Sequence, residues 1–150
     1  MNILLTSTGR RTYMVNYFKE ALKGIGQVHA ANSAETYTSQ LADKFVVTPL
    51  IYDNSYIHFL FDYCKENNIS AIISLFDIDL PILAKSKQRF ADRGIYLLVS
   101  NYKFTQICND KWLTYKFLIK NGFNVPATCL SITQAQAALE KGEIKFPVII

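Results

Sequence analysis

The sequence predicts an α/β fold built on a Rossmann-like, open, doubly wound parallel sheet. Short apolar stretches alternate with segments of helical periodicity as far as residue 99. The stretch 70–75 is almost entirely apolar, as in a strand that helices cover on both faces. Alternating strands and helices indicate a parallel sheet, and right-handed crossovers then favour the strand order 3-2-1-4-5.

Five stretches have the pattern of strands: 2–6, 27–32, 44–49, 70–75 and 95–99. A first helix is predicted from about Thr12, where apolar residues recur at helical spacing. Ser55 is predicted to cap a second helix, which places Cys64 on its apolar stripe. A third helix is predicted from Leu80 to about Asp92.

The last third of the chain has a different pattern. Residues 101–108 indicate a short helix, and Asp110 is predicted to cap a helix over 111–121. A further helix follows over 133–142, and residues 145–150 have the composition of a strand. An apolar strand with nothing after it would be an exposed edge. We therefore expect a fragment of a longer protein, with a complete domain over 1–109 and the start of a second over 110–150.

Composition narrows the classes of function. The net charge of +4 comes from scattered lysines and arginines, which disfavours nucleic acid and suits a small anionic ligand. Three widely spaced cysteines indicate neither a disulfide framework nor a zinc site, so we expect a reduced, cytoplasmic protein. The sequence shows no signal peptide and no apolar run of membrane-spanning length, so no membrane association is expected.

Two polar loops follow the first and fourth predicted strands: "TSTGRR" (residues 6–11, the first loop) and "FDIDLP" (residues 76–81, the second loop). In open parallel sheets, ligands bind beyond the carboxyl ends of the strands, where the strand order reverses. In the predicted order this point lies between strands 1 and 4. The two loops are therefore expected to be neighbours at a binding site.

The first loop lacks the signatures of a nucleotide loop. Gly9 is its only glycine, so G-x-G-x-x-G and the Walker A pattern are both missing, and the second strand ends in Asn32 rather than an acid. What remains is a helix N-terminus with Arg10 and Arg11, which suits a carboxylate or a phosphate. In the alternative interpretation, Ser7 and Thr8 cap the helix and both arginines face water.

The second loop contributes Asp77 and Asp79. These acids could hold an amine or hydroxyl of a small substrate, or pair with the arginines of the first loop. The alternative for Asp79 is simple capping of the third helix. His29 and His58 have no metal partner at usable spacing, so no metal site is predicted.

The stretch "NDKWLTYKFLIKNGFNVPATCL…KFPVII" resembles the start of an ATP-grasp fold. "TSTGRR" and "SLFDIDLPILA" resemble the pre-ATP-grasp domain of carbamoyl phosphate synthase large-subunit-like proteins. The resemblance spans the whole chain. It implies a Lys-Pro pair directly after Ile150.

The resemblance implies an N-terminal, substrate-side domain of an ATP-dependent carboxylate–amine ligase that works through an acyl phosphate. It places Gly9, Arg10, Arg11, Asp77 and Asp79 on the side of a small carboxylate or phosphate substrate, with Lys111 near the nucleotide phosphates. The resemblance also implies that the full-length protein uses ATP and Mg²⁺. This chain is expected to lack most of their site and not to be active alone. A homodimer is left open. The alternative is a non-catalytic module that binds a small anion.

Overall fold

The computed structural model describes residues 1–149. They divide into two compact units, residues 1–105 and the residues from Gln106 onward. The functional division at residues 109 and 110, with an ATP-grasp domain beginning at 110, stays a prediction. No helix in the described part of the chain is long and apolar enough to cross a membrane.

The first unit contains one five-stranded sheet. Its strands are β1 (Asn2–Thr6), β2 (Val28–Asn32), β3 (Lys44–Val47), β4 (Ile69–Ser74) and β5 (Tyr96–Leu97). Helices α1 (Thr12–Ala21), α2 (Tyr56–Glu66) and α3 (Asp79–Ala91) connect them, a 3₁₀ helix (Tyr37–Gln40) precedes β3, and α4 (Tyr102–Asn109) follows β5. All neighbouring strands pair in parallel in the order β3-β2-β1-β4-β5, which confirms the predicted fold class and strand order.

Alternating side chains of β1 enter two separate cores. Leu4 packs with α2 and α3 residues such as Leu60 and Leu83, whereas Ile3 and Leu5 lie in a second core with residues of α1. Successive strand residues point to opposite faces, so a strand between two helical layers must be apolar at every position. These two cores fix the first turn of α1 and the first turn of α3 above the same edge of the sheet.

Two predicted elements of this unit differ in detail. β5 is only two residues long, because Val99 N–H turns back to the carbonyl of Leu97 (2.9 Å) and so ends the ladder. Ser55 does precede α2, but its hydroxyl donates to Asp53 (2.7 Å) rather than accepting from the helix. Asp53 also accepts from the backbone N–H of Ser55, so the short-range turn outcompetes the predicted cap.

The second unit contains α5 (Lys111–Lys120) and α6 (Ile132–Glu140). Asp110 caps α5 as predicted, accepting from the N–H of Leu113 at 2.8 Å. The predicted strand over 145–150 is wrong for residues 145–149, which are irregular; Ile150 lies outside the described residues. A strand needs a neighbour to hydrogen-bond with, and the described residues of this unit offer none.

Candidate anion-binding site

The ends of β1 and β4 bring the two predicted loops together. Thr6 lies opposite Ser74 in the parallel register, and Leu75 N–H donates to the carbonyl of Thr6 at 3.0 Å. The first and second loops therefore leave the sheet side by side at its carboxyl edge. This is the arrangement expected from the reversal of strand order.

The first loop has an unusual backbone. Ser7 and Gly9 both have φ of +53°, in the left-handed region that few non-glycine residues adopt. Between them Thr8 is fully buried, and its hydroxyl lies 2.8 Å from that of Thr38 in the 3₁₀ helix. Thr38 also donates to the carbonyl of Gly9 at 3.3 Å. Hydrogen bonds to Thr38 therefore fix the loop at Thr8 and Gly9, while Arg10 is exposed to solvent.

Both arginines lie at the start of α1. Arg10 is exposed, and Arg11 occupies the position before the first helical residue. A Cβ atom on Gly9 would lie 3.9 Å from Nη1 of Arg11, so this guanidinium lies close to the glycine backbone. The capping part of the alternative is wrong, because the hydroxyls of Ser7 and Thr8 are bound to Asp79 and Thr38 rather than to the helix. A role of the two arginines in binding stays a prediction.

Asp79 is the centre of the contact between the loops. Its carboxylate is fully buried and accepts from four hydroxyl groups of described residues: Thr6 (2.8 Å), Ser7 (3.2 Å), Ser74 (2.8 Å) and Tyr56 (3.0 Å). Burying a carboxylate is costly unless several donors satisfy it, and these hydroxyls do so.

This position corrects two expectations for Asp79. The residue before α3 is Ile78, so Asp79 is the first helical residue and not its cap. The fully buried carboxylate is also out of reach of a ligand, so the expected direct contact with substrate is replaced by a contact with the loop that would bind it.

Asp77 is exposed on the second loop and remains available to a ligand. The alternative pairing with the arginines is wrong within residues 1–149, where the ion pairs join Lys19 to Asp43 and His58 to Asp62. The carboxyl edge of the sheet in the first unit thus carries Gly9, Arg10, Arg11 and Asp77. Their role in binding stays a prediction.

Tyr56 and Thr38 were not singled out by the sequence. Tyr56 begins α2, more than twenty residues before Asp79, and no local pattern links the two. Burial, followed by the neighbouring Asp79 carboxylate, raises the pKa of the Tyr56 phenol above its ordinary value. The phenol therefore keeps its proton and stays a donor to Asp79.

Lys111 lies in the second unit, exposed in the first turn of α5. No acidic side chain lies in that first turn, and Asp110 directly before it is the cap of the helix. The same unit has a cavity of about 930 Å³, which lies between the segment 126–132, α6 and the segment 143–149 and is lined mainly by apolar side chains. This cavity contains none of the predicted site residues.

Residues 3–98 match the family described as PylC-like, N-terminal domain. The chain belongs to the PylC-like N-terminal domain family. The matched segment contains both loops and all of the sheet except Asn2, so the candidate site lies inside this domain. The sequence has no significant match among curated proteins.

Solved structures share the fold of this PylC-like domain at low identity. N5-carboxyaminoimidazole synthetase from Staphylococcus aureus, complexed with ADP, matches with a TM-score of 0.64 and 15% identity over 93% of this chain and 35% of that chain. Phosphoribosylglycinamide synthetase from Anaerococcus prevotii matches with a TM-score of 0.61 and 18% identity over 97% and 35%.

A third match is the biotin carboxylase domain dimer of 2-oxoglutarate carboxylase from Hydrogenobacter thermophilus, in complex with MgADP, ADP and bicarbonate. Its TM-score is 0.62, with 17% identity over 97% of this chain and 33% of that chain. Together these matches show the fold of the N-terminal domain of ATP-grasp enzymes. The present chain spans about a third of the length of each of the three structures.

Proposed function

We propose that this PylC-like domain is the substrate-side, N-terminal part of an ATP-dependent carboxylate–amine ligase of the carbamoyl phosphate synthase-like type. In this proposal the first loop binds the anionic group of a small carboxylate or phosphate substrate. The observation that carries the proposal is the pair Arg10 and Arg11 at the start of α1, beside the left-handed backbone of Ser7 and Gly9.

The electrostatics at this helix end favour an anion. A helix N-terminus carries about half a positive charge, so a cation there is disfavoured by roughly 0.3–1 kcal/mol. Here Arg11 precedes the first helical residue, and the first turn of α1, residues 12–15, has no acidic side chain to compensate. A bound carboxylate or phosphate would interact favourably with the positive end of the helix dipole and would accept hydrogen bonds from the guanidinium groups.

The proposed reaction has two steps. A carboxylate oxygen of the acceptor attacks the γ-phosphorus of ATP, the bond to the β-phosphate oxygen breaks, and an acyl phosphate and ADP result. An amine then attacks the acyl carbon, the carbon–oxygen bond to phosphate breaks, and the amine loses a proton. In this scheme the first loop orients the acceptor, and we propose that Asp77, which is exposed on the second loop, holds a hydroxyl or amine of the same substrate.

The proposed reaction requires magnesium. Within residues 1–149 no group of three or more His, Cys, Asp or Glu side chains is placed to hold a metal ion. We therefore assign no step of the reaction to a metal here. Lys111 is proposed to meet the nucleotide phosphates, because the Asp110-Lys111 pair at the start of α5 resembles the start of an ATP-grasp fold, where this lysine often contacts them.

Calorimetry on the 150-residue chain tests the proposal. Inorganic phosphate should bind to the wild-type chain, and the double variant Arg10→Ala, Arg11→Ala should lose most of this binding. Lys23→Ala is the matched control, because Lys23 is an exposed cation beyond the opposite end of α1. Equal phosphate binding by wild type and the double variant would refute the anion site.

A second measurement concerns the parent protein that carries this domain. With ATP, magnesium and candidate carboxylates and amines, the proposal expects ADP to form in step with product. A parent that binds the acceptor without forming ADP under any of these conditions would instead support the non-catalytic anion-binding module.

A further inference from the structure

The left-handed backbone at Ser7 needs a structural cause. For a residue with a Cβ atom this conformation is costly, and such conformations persist only when the surroundings enforce them. Ser7 has no glycine-like freedom, yet its φ is +53°. The strain lies in the middle of the loop that is proposed to bind the anion.

The two residues that flank Ser7 are anchored to different parts of the fold. Thr6 is buried and donates to Asp79 at 2.8 Å, while its carbonyl accepts from Leu75 N–H. Thr8 is buried against Thr38. Because both neighbouring residues are fixed, the backbone dihedral angles that Ser7 can adopt are restricted.

The Ser7 side chain provides the third restraint. Its hydroxyl donates to Asp79 at 3.2 Å, on the same oxygen that accepts from Thr6 and Ser74. One carboxylate oxygen thus binds the end of β1, the first loop and the end of β4. A fully buried carboxylate is an expensive way to join these elements, and an apolar side chain would fill the same space without that cost.

We propose that Asp79 is a positioning residue that holds Ser7 in its left-handed conformation and so gives the first loop its anion-binding shape. This inference rests on the proposed function of the first loop. Asp79 touches no ligand itself, because its carboxylate is fully buried. It acts through the hydroxyls of Thr6 and Ser7, and its link to Ser74 sets the second loop in register with the first.

The inference predicts what happens when the carboxylate is changed without changing its size. Asp79→Asn places an N–H₂ group where an oxygen accepted hydroxyl protons, so the donors can no longer all be satisfied. Ser7 should then relax from positive φ. Because only the fraction with the correct loop shape binds, the Kd for inorganic phosphate should rise about tenfold.

Nuclear magnetic resonance on the labelled 150-residue chain measures both effects. The one-bond Cα–Hα coupling of Ser7 reports the sign of φ, and the amide shifts of residues 9–11 report the Kd for inorganic phosphate. Tyr63→Phe is the matched control: it also removes a phenol of α2, but this phenol lies 2.9 Å from Nδ1 of His29 and makes no contact with Asp79. It should lower stability while keeping the sign of φ and the phosphate Kd.

Ser7→Ala provides an independent variant if Asp79→Asn does not fold, because Ser7 is only partly buried. It removes the third restraint alone and should also reduce the population with positive φ. A positive φ at position 7 in either folded variant, with the same coupling as in the wild type, would overturn the inference. If wild type itself shows no phosphate shifts, the proposed function fails, and the couplings still decide whether Asp79 sets the conformation of Ser7.

Discussion

The phenol of Tyr56 donates to both carboxylate oxygens of Asp79, at 3.0 and 3.2 Å, inside the core of the first unit. This bond ties the start of α2 to the start of α3. Hydrogen bonds to charged groups contribute roughly 1.5–3 kcal/mol. We therefore expect Tyr56→Phe to lower the free energy of unfolding by about that amount.

Urea denaturation of the 150-residue chain, followed by circular dichroism, measures this difference. Tyr13→Phe is the control, since the Tyr13 side chain is 53% exposed and should change the unfolding free energy little. A Tyr56→Phe chain as stable as the wild type would mean that the phenol does not satisfy the Asp79 carboxylate.

The fold followed from the sequence because its determinants are local and repetitive. The almost entirely apolar stretch 70–75 and the helical stripe at Leu60 and Cys64 indicate a sheet covered on two faces, and Leu60 and Cys64 are buried as expected. The relation of Asp79 to Tyr56 was not predictable in this way. It depends on which hydroxyls the fold brings to one carboxylate from β1, α2 and β4, and no spacing in the sequence encodes that set.

Gly9→Ala should distort the first loop. At φ of +53° an added Cβ meets nothing closer than 3.9 Å, so its cost is backbone strain, roughly 1–2 kcal/mol. Gly24→Ala is a matched control, because Gly24 also has positive φ (+79°) but lies in the turn after α1.

Both variants should lose similar stability in urea denaturation. Only Gly9→Ala should also weaken phosphate binding by the first loop in calorimetry. Equal phosphate affinity in the two variants would show that the conformation of Gly9 is irrelevant to the proposed site.

His29 makes stability depend on pH. It is buried in β2 with its Nδ1 2.9 Å from the hydroxyl of Tyr63. Burial, followed by the charge of Lys44, lowers the pKa of His29 below its usual 6.5. The unfolded chain therefore binds the proton more readily than the folded chain, and stability should fall as pH drops below 6.5 until the lowered pKa is reached.

Unfolding free energies measured between pH 8 and pH 5 test this sign. His29→Gln should flatten the decline, whereas His58→Gln should not, because His58 is exposed on α2 and 79% of its side chain is accessible. A decline of equal slope in wild type and His29→Gln would assign the pH dependence to another group.

Arg10→Ala should impair acceptor use in the ligase that carries this domain. If Arg10 makes a charge-assisted contact with the acceptor, the variant should lose roughly 1–3 kcal/mol of transition-state stabilisation. This loss would be measured as a lower kcat/KM for the acceptor. The KM for ATP should not change, since the nucleotide contact is proposed for Lys111 instead. Steady-state assays with each substrate varied in turn separate the two effects, and unchanged acceptor kinetics would place Arg10 in solvent.

We propose above all that the first loop, beside the second loop and above Asp79, is an anion site. Titration of the labelled 150-residue chain with inorganic phosphate, followed at every backbone amide, tests it most directly. The account predicts saturable shifts centred on Gly9, Arg10 and Arg11, which disappear in the Arg10→Ala, Arg11→Ala variant. Shifts centred elsewhere, or shifts that the double variant retains, would contradict it.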